Sequence, residues 1–183
     1  MVEFLEQRGI EGSTVLEVGG GVGEIQIELL KRGAARAVNL ELSPAYEEEA
    51  TRLLREAGLE KRTERFLHDI AADPADIVPA DVVVLHRVVC CYPDYERLLG
   101  AAADHARRLL VFNYPPRSVV SCLFVAAQNL LFRLLRREFR TFAHPPSRML
   151  GVLEERGLRR TFAHHPLVWQ IAGLERNLSR QVI

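Results

Sequence analysis

Between positions 15 and 23 the chain reads Val-Leu-Glu-Val-Gly-Gly-Gly-Val-Gly, an apolar run carrying one carboxylate and followed by four glycines within five positions. Glycine allows a sharp turn and lets a ligand touch the backbone, because no Cβ stands in the way. The next residues, Glu24-Ile-Gln-Ile-Glu-Leu-Leu, have helical character. A helix starting there offers unpaired amides at its first turn. The stretch therefore predicts a strand, a tight turn and a helix that together face a ligand.

The same alternation continues along the chain. Strands are predicted at Thr14 to Val18, Ala37 to Leu42, Thr63 to His68, Asp81 to His86 and Leu109 to Asn113. The fourth is almost wholly aliphatic, as a strand buried on both faces should be. Between them fall helices from Glu24 to Arg32, from Ser43-Pro44 to a stop at Gly58, and from Tyr95 to about Ala106. Residues 118–135 form a long helical run with a polar stripe of Ser121, Gln128, Asn129 and Arg133, too polar and short for a membrane span. Three settings suit it: burial between the sheet and another element or subunit, the wall of a lipophilic site, or contact with a membrane surface. A helix over Ser147 to Arg156 and two closing strands, Arg159 to His164 and Leu167 to Leu174, complete the series, the strands pairing antiparallel across a short connection. The length of 183 residues fits one folding unit over 1–183, an α/β domain with a mostly parallel sheet.

Charge divides the chain. Residues 1–106 carry 11 Lys/Arg against 20 Asp/Glu, a net of −9, and residues 107–183 carry 13 Arg against 4 Glu, a net of +9. The overall balance of zero argues against a general polyanion-binding domain. No basic stretch interleaved with aromatics suggests nucleic acid. Cys90, Cys91 and Cys122 have neither disulfide nor zinc spacing, and no secretory signal precedes the first strand, so a cytoplasmic setting and no metal site are expected.

The glycines separate two classes of ligand. A dinucleotide site wants GxGxxG, whereas Gly19, Gly21 and Gly23 alternate and Glu24 stands in place of the last glycine, where a pyrophosphate would be disfavoured. Glu17 to Gly23 instead resembles the first motif of class I S-adenosylmethionine-dependent methyltransferases, E/D-x-G-x-G-x-G, at every fixed position. The resemblance implies a three-layer Rossmann-like fold, with a seven-stranded sheet in the order 3-2-1-4-5-7-6 and the last strand antiparallel. It implies S-adenosyl-L-methionine as cofactor and S-adenosyl-L-homocysteine as product. It also implies that Glu17, Gly19, Gly20, Gly21 and Gly23 cradle the cofactor in the first half, about 1–106, with the acceptor half at about 107–183. By position, Glu41 would hold the ribose hydroxyls, Leu42 would press on the adenine, and Asp69 and Ile70 would meet the adenine edge. His86 and Arg87 would border the methionine portion. Only about a dozen residues precede the first strand, so the family's N-terminal cofactor-capping helices are expected to be short or missing.

For the acceptor, the segment from Asp81 to Asp94, with an aliphatic strand followed by Tyr92-Pro93, is loosely similar to magnesium-protoporphyrin O-methyltransferases, which methylate a carboxylate on a large flat anion. His86 leads as general base because an imidazole titrates in the useful range; Tyr92 and His144 stand in reserve. A small-molecule acceptor is expected, anionic or lipophilic, with Arg133, Arg136 and Arg140 available to an anion. Peripheral membrane contact and a homodimer are compatible with the sequence. The rival reading is a non-catalytic methyltransferase-like subunit that docks a partner through helix 118–135.

Overall fold

The computed structural model describes residues 1–166 and 168–177. Seven strands form one sheet: β1 (Thr14–Val18), β2 (Arg36–Glu41), β3 (Thr63–Leu67), β4 (Ala80–Leu85), β5 (Ala106–Tyr114), β6 (Leu158–His164) and β7 (Gln170–Arg176). Their spatial order is β3-β2-β1-β4-β5-β7-β6, with β7 antiparallel to both neighbours and the first five strands parallel. The expected order and orientation are therefore present. Among the described residues six α-helices accompany the sheet: α1 (Val2–Gln7), α2 (Glu24–Lys31), α3 (Glu47–Ala57), α4 (Tyr95–His105), α5 (Val119–Leu134) and α6 (Pro146–Glu155).

Alternation along the central strands builds a core on each face. Leu16, Val18, Val83, Leu85, Leu110 and Phe112 pack on the side of α4 and α6, with Leu98, Leu99, Met149 and Leu153. Val15, Val82, Val84, Leu109 and Val111 pack on the other side, with Phe4 and Leu5 of α1, Leu29 and Leu30 of α2, and Leu54 of α3. Period-two side-chain direction thus turns aliphatic strands into the middle layer of three.

Polar groups set the register of β1 and β4. Asp81 Oδ2 accepts from both the Thr14 amide and its hydroxyl at 2.8 Å, and Thr14 Oγ1 accepts from the Asp81 amide at 2.9 Å. These bonds hold the Asp81 carboxyl below its usual range. Because they fix the starts of two neighbouring parallel strands, the carboxyl ends stop side by side, which is where a parallel sheet places its ligand crevice.

Several boundaries differ from expectation. The helix beginning at Ser43-Pro44 is split: a 3-10 turn, Pro44–Tyr46, capped by the Ser43 hydroxyl, precedes α3. The segment before β1 holds one short helix, α1; its Phe4 stacks on Phe162 of β6 and lies over Gly173, where a Cβ would meet the ring. β7 begins at Gln170 and runs on to Arg176, whose guanidinium donates to the Ala106 and Ala103 carbonyls and extends the pairing; the expected first residue, Leu167, lies outside the described residues. α5 departs most. None of its residues is buried, so it is not held between the sheet and another element of this chain.

Phe112 is fully buried at the centre of the larger core and stacks on Tyr114. Truncation there deletes a ring and leaves a cavity. Phe112→Ala is expected to lower unfolding free energy by about 3–5 kcal/mol, measured by urea titration followed by circular dichroism.

Candidate functional site

The turn after β1 sits on a buried polar layer. Gly19 donates to the Leu40 carbonyl at 2.6 Å, which draws the turn over β2. At Gly20 a Cβ would collide with the Asn39 amide and lie 2.8 Å from Glu17 Cδ, so only glycine fits. Gly21 has a φ of 54° and nothing within 4 Å of where its Cβ would be; it faces open space. Arg65 of β3 pins the loop from below, donating at 2.8 Å to both the Gly21 carbonyl and Glu47 Oε1. Glu17, 1% exposed, accepts from the Gln26 amide at 3.1 Å and so ties the turn to the first turn of α2.

Above the loop lies a cleft of about 690 Å³, within the roughly 300–1,000 Å³ typical of small-molecule sites. Glu17, Gly19, Gly20, Gly21, Glu41, Leu42 and His86 all line it. Glu41 ends β2, with Oε2 accepting from the Gly21 amide at 2.8 Å and Oε1 from the Leu42 and Ser43 amides at 2.8 and 3.0 Å. Three backbone donors therefore aim this carboxylate, occupying three of its about four acceptor sites. Leu42 is 57% exposed, an apolar side chain on the cleft wall.

Gly23, Asp69 and Ile70 are not among the lining residues. Gly23 is the N-cap of α2, and Ile70 is packed into the core. The Asp69 carboxylate accepts from the Tyr92 hydroxyl at 2.9 and 3.2 Å and from the Ala71 amide at 3.0 Å. Asp69 thus orients Tyr92, which does line the cleft. Burial and the Asp69 carboxylate push the Tyr92 phenol up to about 12, so it holds its proton at neutral pH. His144 lies away from the cleft, its Nε2 2.9 Å from the Tyr92 carbonyl and its ring against Phe142 and Tyr95; it anchors the residue 142–145 loop. Burial and then the Arg87 charge lower the His86 imidazole below its ordinary value, so the ring is neutral near pH 7.

Residue types alone did not reveal Tyr46, Cys91, Val88 or Phe139 on this cleft, all brought in by loops. Arg87 has a φ of 61°, an uncommon conformation for a side chain of its size. Its amide donates to Asn113 Oδ1 at 2.6 Å and its guanidinium lies over Trp169, 5.5 Å from the ring centroid. On the far side of Arg87 and Cys91 a second cavity of about 550 Å³ opens between α5 and the segments that follow β4 and β5, walled by Pro115, Pro116, Phe124, Val125, Phe142 and Trp169. Arg133, Arg136 and Arg140 line neither cavity.

The Glu17 carboxyl is pushed up to about 8, chiefly by burial and against the opposing pull of the Gln26 amide and the Arg65 charge. Unfolded, it would ionise near 4.5. The folded state therefore holds this proton more tightly, and the associated stability, complete below the unfolded value, is lost as pH rises towards 8. Glu17→Gln keeps an acceptor for the Gln26 amide and removes the titration. Its melting temperature should gain on that of the parent between about pH 5 and about pH 9; parallel profiles in a calorimeter would show that Glu17 is ionised in the fold.

Comparison with known proteins converges on one family. A model described as a methyltransferase domain matches residues 1–165. Ribosomal protein L11 methyltransferase of Enterobacter sp. (strain 638) is 34% identical over 83 residues, 45% of this chain and 27% of that protein. The enzyme of the same name from Edwardsiella ictaluri is 31% identical over 106 residues, 54% of this chain and 36% of that one. The chain thus spans about a third or less of the length of these relatives. Among solved structures, magnesium protoporphyrin IX methyltransferase of Synechocystis PCC 6803 with bound SAH superposes with a TM-score of 0.77 at 19% identity, over 96% of this chain and 80% of that one. An O-methyltransferase family protein of Burkholderia thailandensis gives 0.79 at 19% identity, over 98% and 56%. With its glycine turn, strand-end carboxylate and sheet order in place, the chain belongs to the methyltransferase domain family, the class I enzymes that use S-adenosylmethionine.

Proposed function

We propose that this chain transfers the methyl group of S-adenosylmethionine to a small lipophilic molecule held in the cavity beneath α5, acting in the cytoplasm as one domain over residues 1–183. The observation that carries the reading is the pair of adjoining cavities that share Arg87 and Cys91. The first has what the cofactor needs: a backbone turn with room for a ligand at Gly21, and a carboxylate at Glu41 aimed by three amides. Bound there, the cofactor supplies a methyl group on a positively charged sulfur. The protein's own task is to align an acceptor atom with that methyl group and to exclude water.

The second cavity suits an apolar body of modest size. Phe124, Phe142 and Trp169 give it aromatic walls, and among the described residues Arg87 is the one charged side chain on its lining. An acidic group on the acceptor would meet that guanidinium beside the boundary with the cofactor cleft. A mostly apolar hollow of this size lies within the range of small-molecule sites. The three cysteines are free thiols, in keeping with a reducing compartment.

His86 is the base of this arrangement when the acceptor must lose a proton. It lines the cofactor cleft and a further hollow under α1 beside Met1 and Ile171, but not the second cavity, so it serves an acceptor atom that crosses into the cofactor cleft. Tyr92 cannot take that part while Asp69 holds its hydroxyl, and its role is to shape the wall.

Three measurements follow. Glu41→Ala should weaken binding of S-adenosylhomocysteine by about 10- to 100-fold, the loss of one charge-assisted contact, read by calorimetry. Methyl-labelled cofactor incubated with the chain and a cell extract should place label in the organic-soluble small-molecule fraction; label confined to precipitated protein would overturn the acceptor assignment. With the identified acceptor, the acid limb of kcat/KM should lie below the ordinary histidine value of 6.5, since burial lowers His86, and it should vanish in His86→Gln.

A further inference from the structure

We propose that α5 and the arginine-rich turn after it form a docking surface for an anionic lipid bilayer. The helix contributes nothing to either core, and none of its 16 residues is buried. Ser121, Val125 and Gln128 turn towards the second cavity. Residues 119, 123, 130 and 134 recur at helical spacing on another face. Those four are Val119, Leu123, Leu130 and Leu134, between 58% and 78% exposed. The apolar surface continues past the helix end at Leu135.

The charge around this face points to its partner. Residues 117–140 contain Arg117, Arg133, Arg136, Arg137 and Arg140 against the single acid Glu138. Arg117, Arg133, Arg136 and Arg137 are exposed, and none forms an ion pair among the described residues. Arg140 donates to the Arg137 and Phe139 carbonyls and so fixes the turn that displays its neighbours. An apolar stripe rimmed by arginines matches an interface of acyl chains and anionic headgroups. A second copy fits less well, because a twofold contact would bring two such surfaces, each with a net positive charge, face to face. No helix among the described residues is long and apolar enough to cross a membrane, so α5 would lie in the plane of the surface. Docked this way, the wall of the second cavity would face the bilayer; that consequence depends on the acceptor reading above, whereas the docking itself does not.

Flotation of the full chain on a sucrose gradient tests the docking without any acceptor. Two vesicle preparations are compared, phosphatidylcholine alone and the same lipid with roughly 30 mol % phosphatidylserine. The chain should rise with the anionic vesicles, stay down with the neutral ones, and be released by about 0.5 M salt. The triple variants Leu123→Ser/Leu130→Ser/Leu134→Ser and Arg133→Ser/Arg136→Ser/Arg137→Ser should each lose about tenfold or more in partitioning. None of the six residues lines either of the two cavities described above, so both variants should keep parental affinity for S-adenosylhomocysteine, which certifies that they fold. Failure to float on anionic vesicles overturns the proposal. So does equal flotation of parent and both variants, or a stable dimer in light scattering that the leucine variant dissolves while vesicle binding is absent.

Discussion

The close approach of a side-chain-free turn to a buried polar layer is the constraint on which the rest of the molecule depends. Glu17, Gln26 and Asn39 are almost wholly out of solvent beneath Gly19 to Gly23, and the carboxamides of Gln26 and Asn39 have no hydrogen-bond partner among the described residues. Polar groups so placed are costly unless they serve something. What they serve is position: Glu17 holds the start of α2, Asn39 fills the space that a Cβ at Gly20 would take, and Arg65 holds the Gly21 carbonyl. The turn is set by four side chains from three strands and a helix. It is therefore rigid where a ligand needs backbone.

That dependence explains which parts of the molecule were legible in sequence. β1 has the predicted ends, and Gly58 caps α3 in the left-handed conformation, because glycine and strand periodicity act over a few neighbouring residues. The order of the seven strands followed from resemblance to a family, since local pattern does not say which parallel strand neighbours which. Glu17 stands out as the acid of the glycine motif, and Glu41 by its position in the family resemblance. Arg65 did not: it is one arginine among 22, and only the pairing of β3 with β2 brings it under a loop 44 residues earlier. Asp69 illustrates the converse. Its position along the chain was foreseen, but its partner is a tyrosine 23 residues on, a contact that no spacing encodes.

α5 marks a different limit. Its composition, apolar with a narrow polar stripe, suits a buried helix, a cavity wall and a lipid-facing surface equally well, because hydrophobicity records a preference for leaving water without naming the partner. Only tertiary placement separates them, and it removes burial within this chain while leaving one face on a cavity and another in solvent.

The two cavities meet at a residue under strain. Arg87 adopts a left-handed conformation immediately after β4, and the Asn113 side chain and the Trp169 ring hold it there. Such conformations cost about 1–3 kcal/mol and persist where surrounding structure over-determines them. Here that structure comes from β5 and from the approach to β7, where Asn113 and Trp169 lie in the second half of the chain. The two halves of the chain, opposite in charge, pair along β4 and β5 and meet again at this kink: the acidic half lines most of the cleft above the glycine turn, and the basic half supplies most of the second cavity and the pair of side chains that fix the boundary between them. Strain at Arg87 is the cost of bringing a guanidinium from the strand end of one half against an aromatic ring of the other.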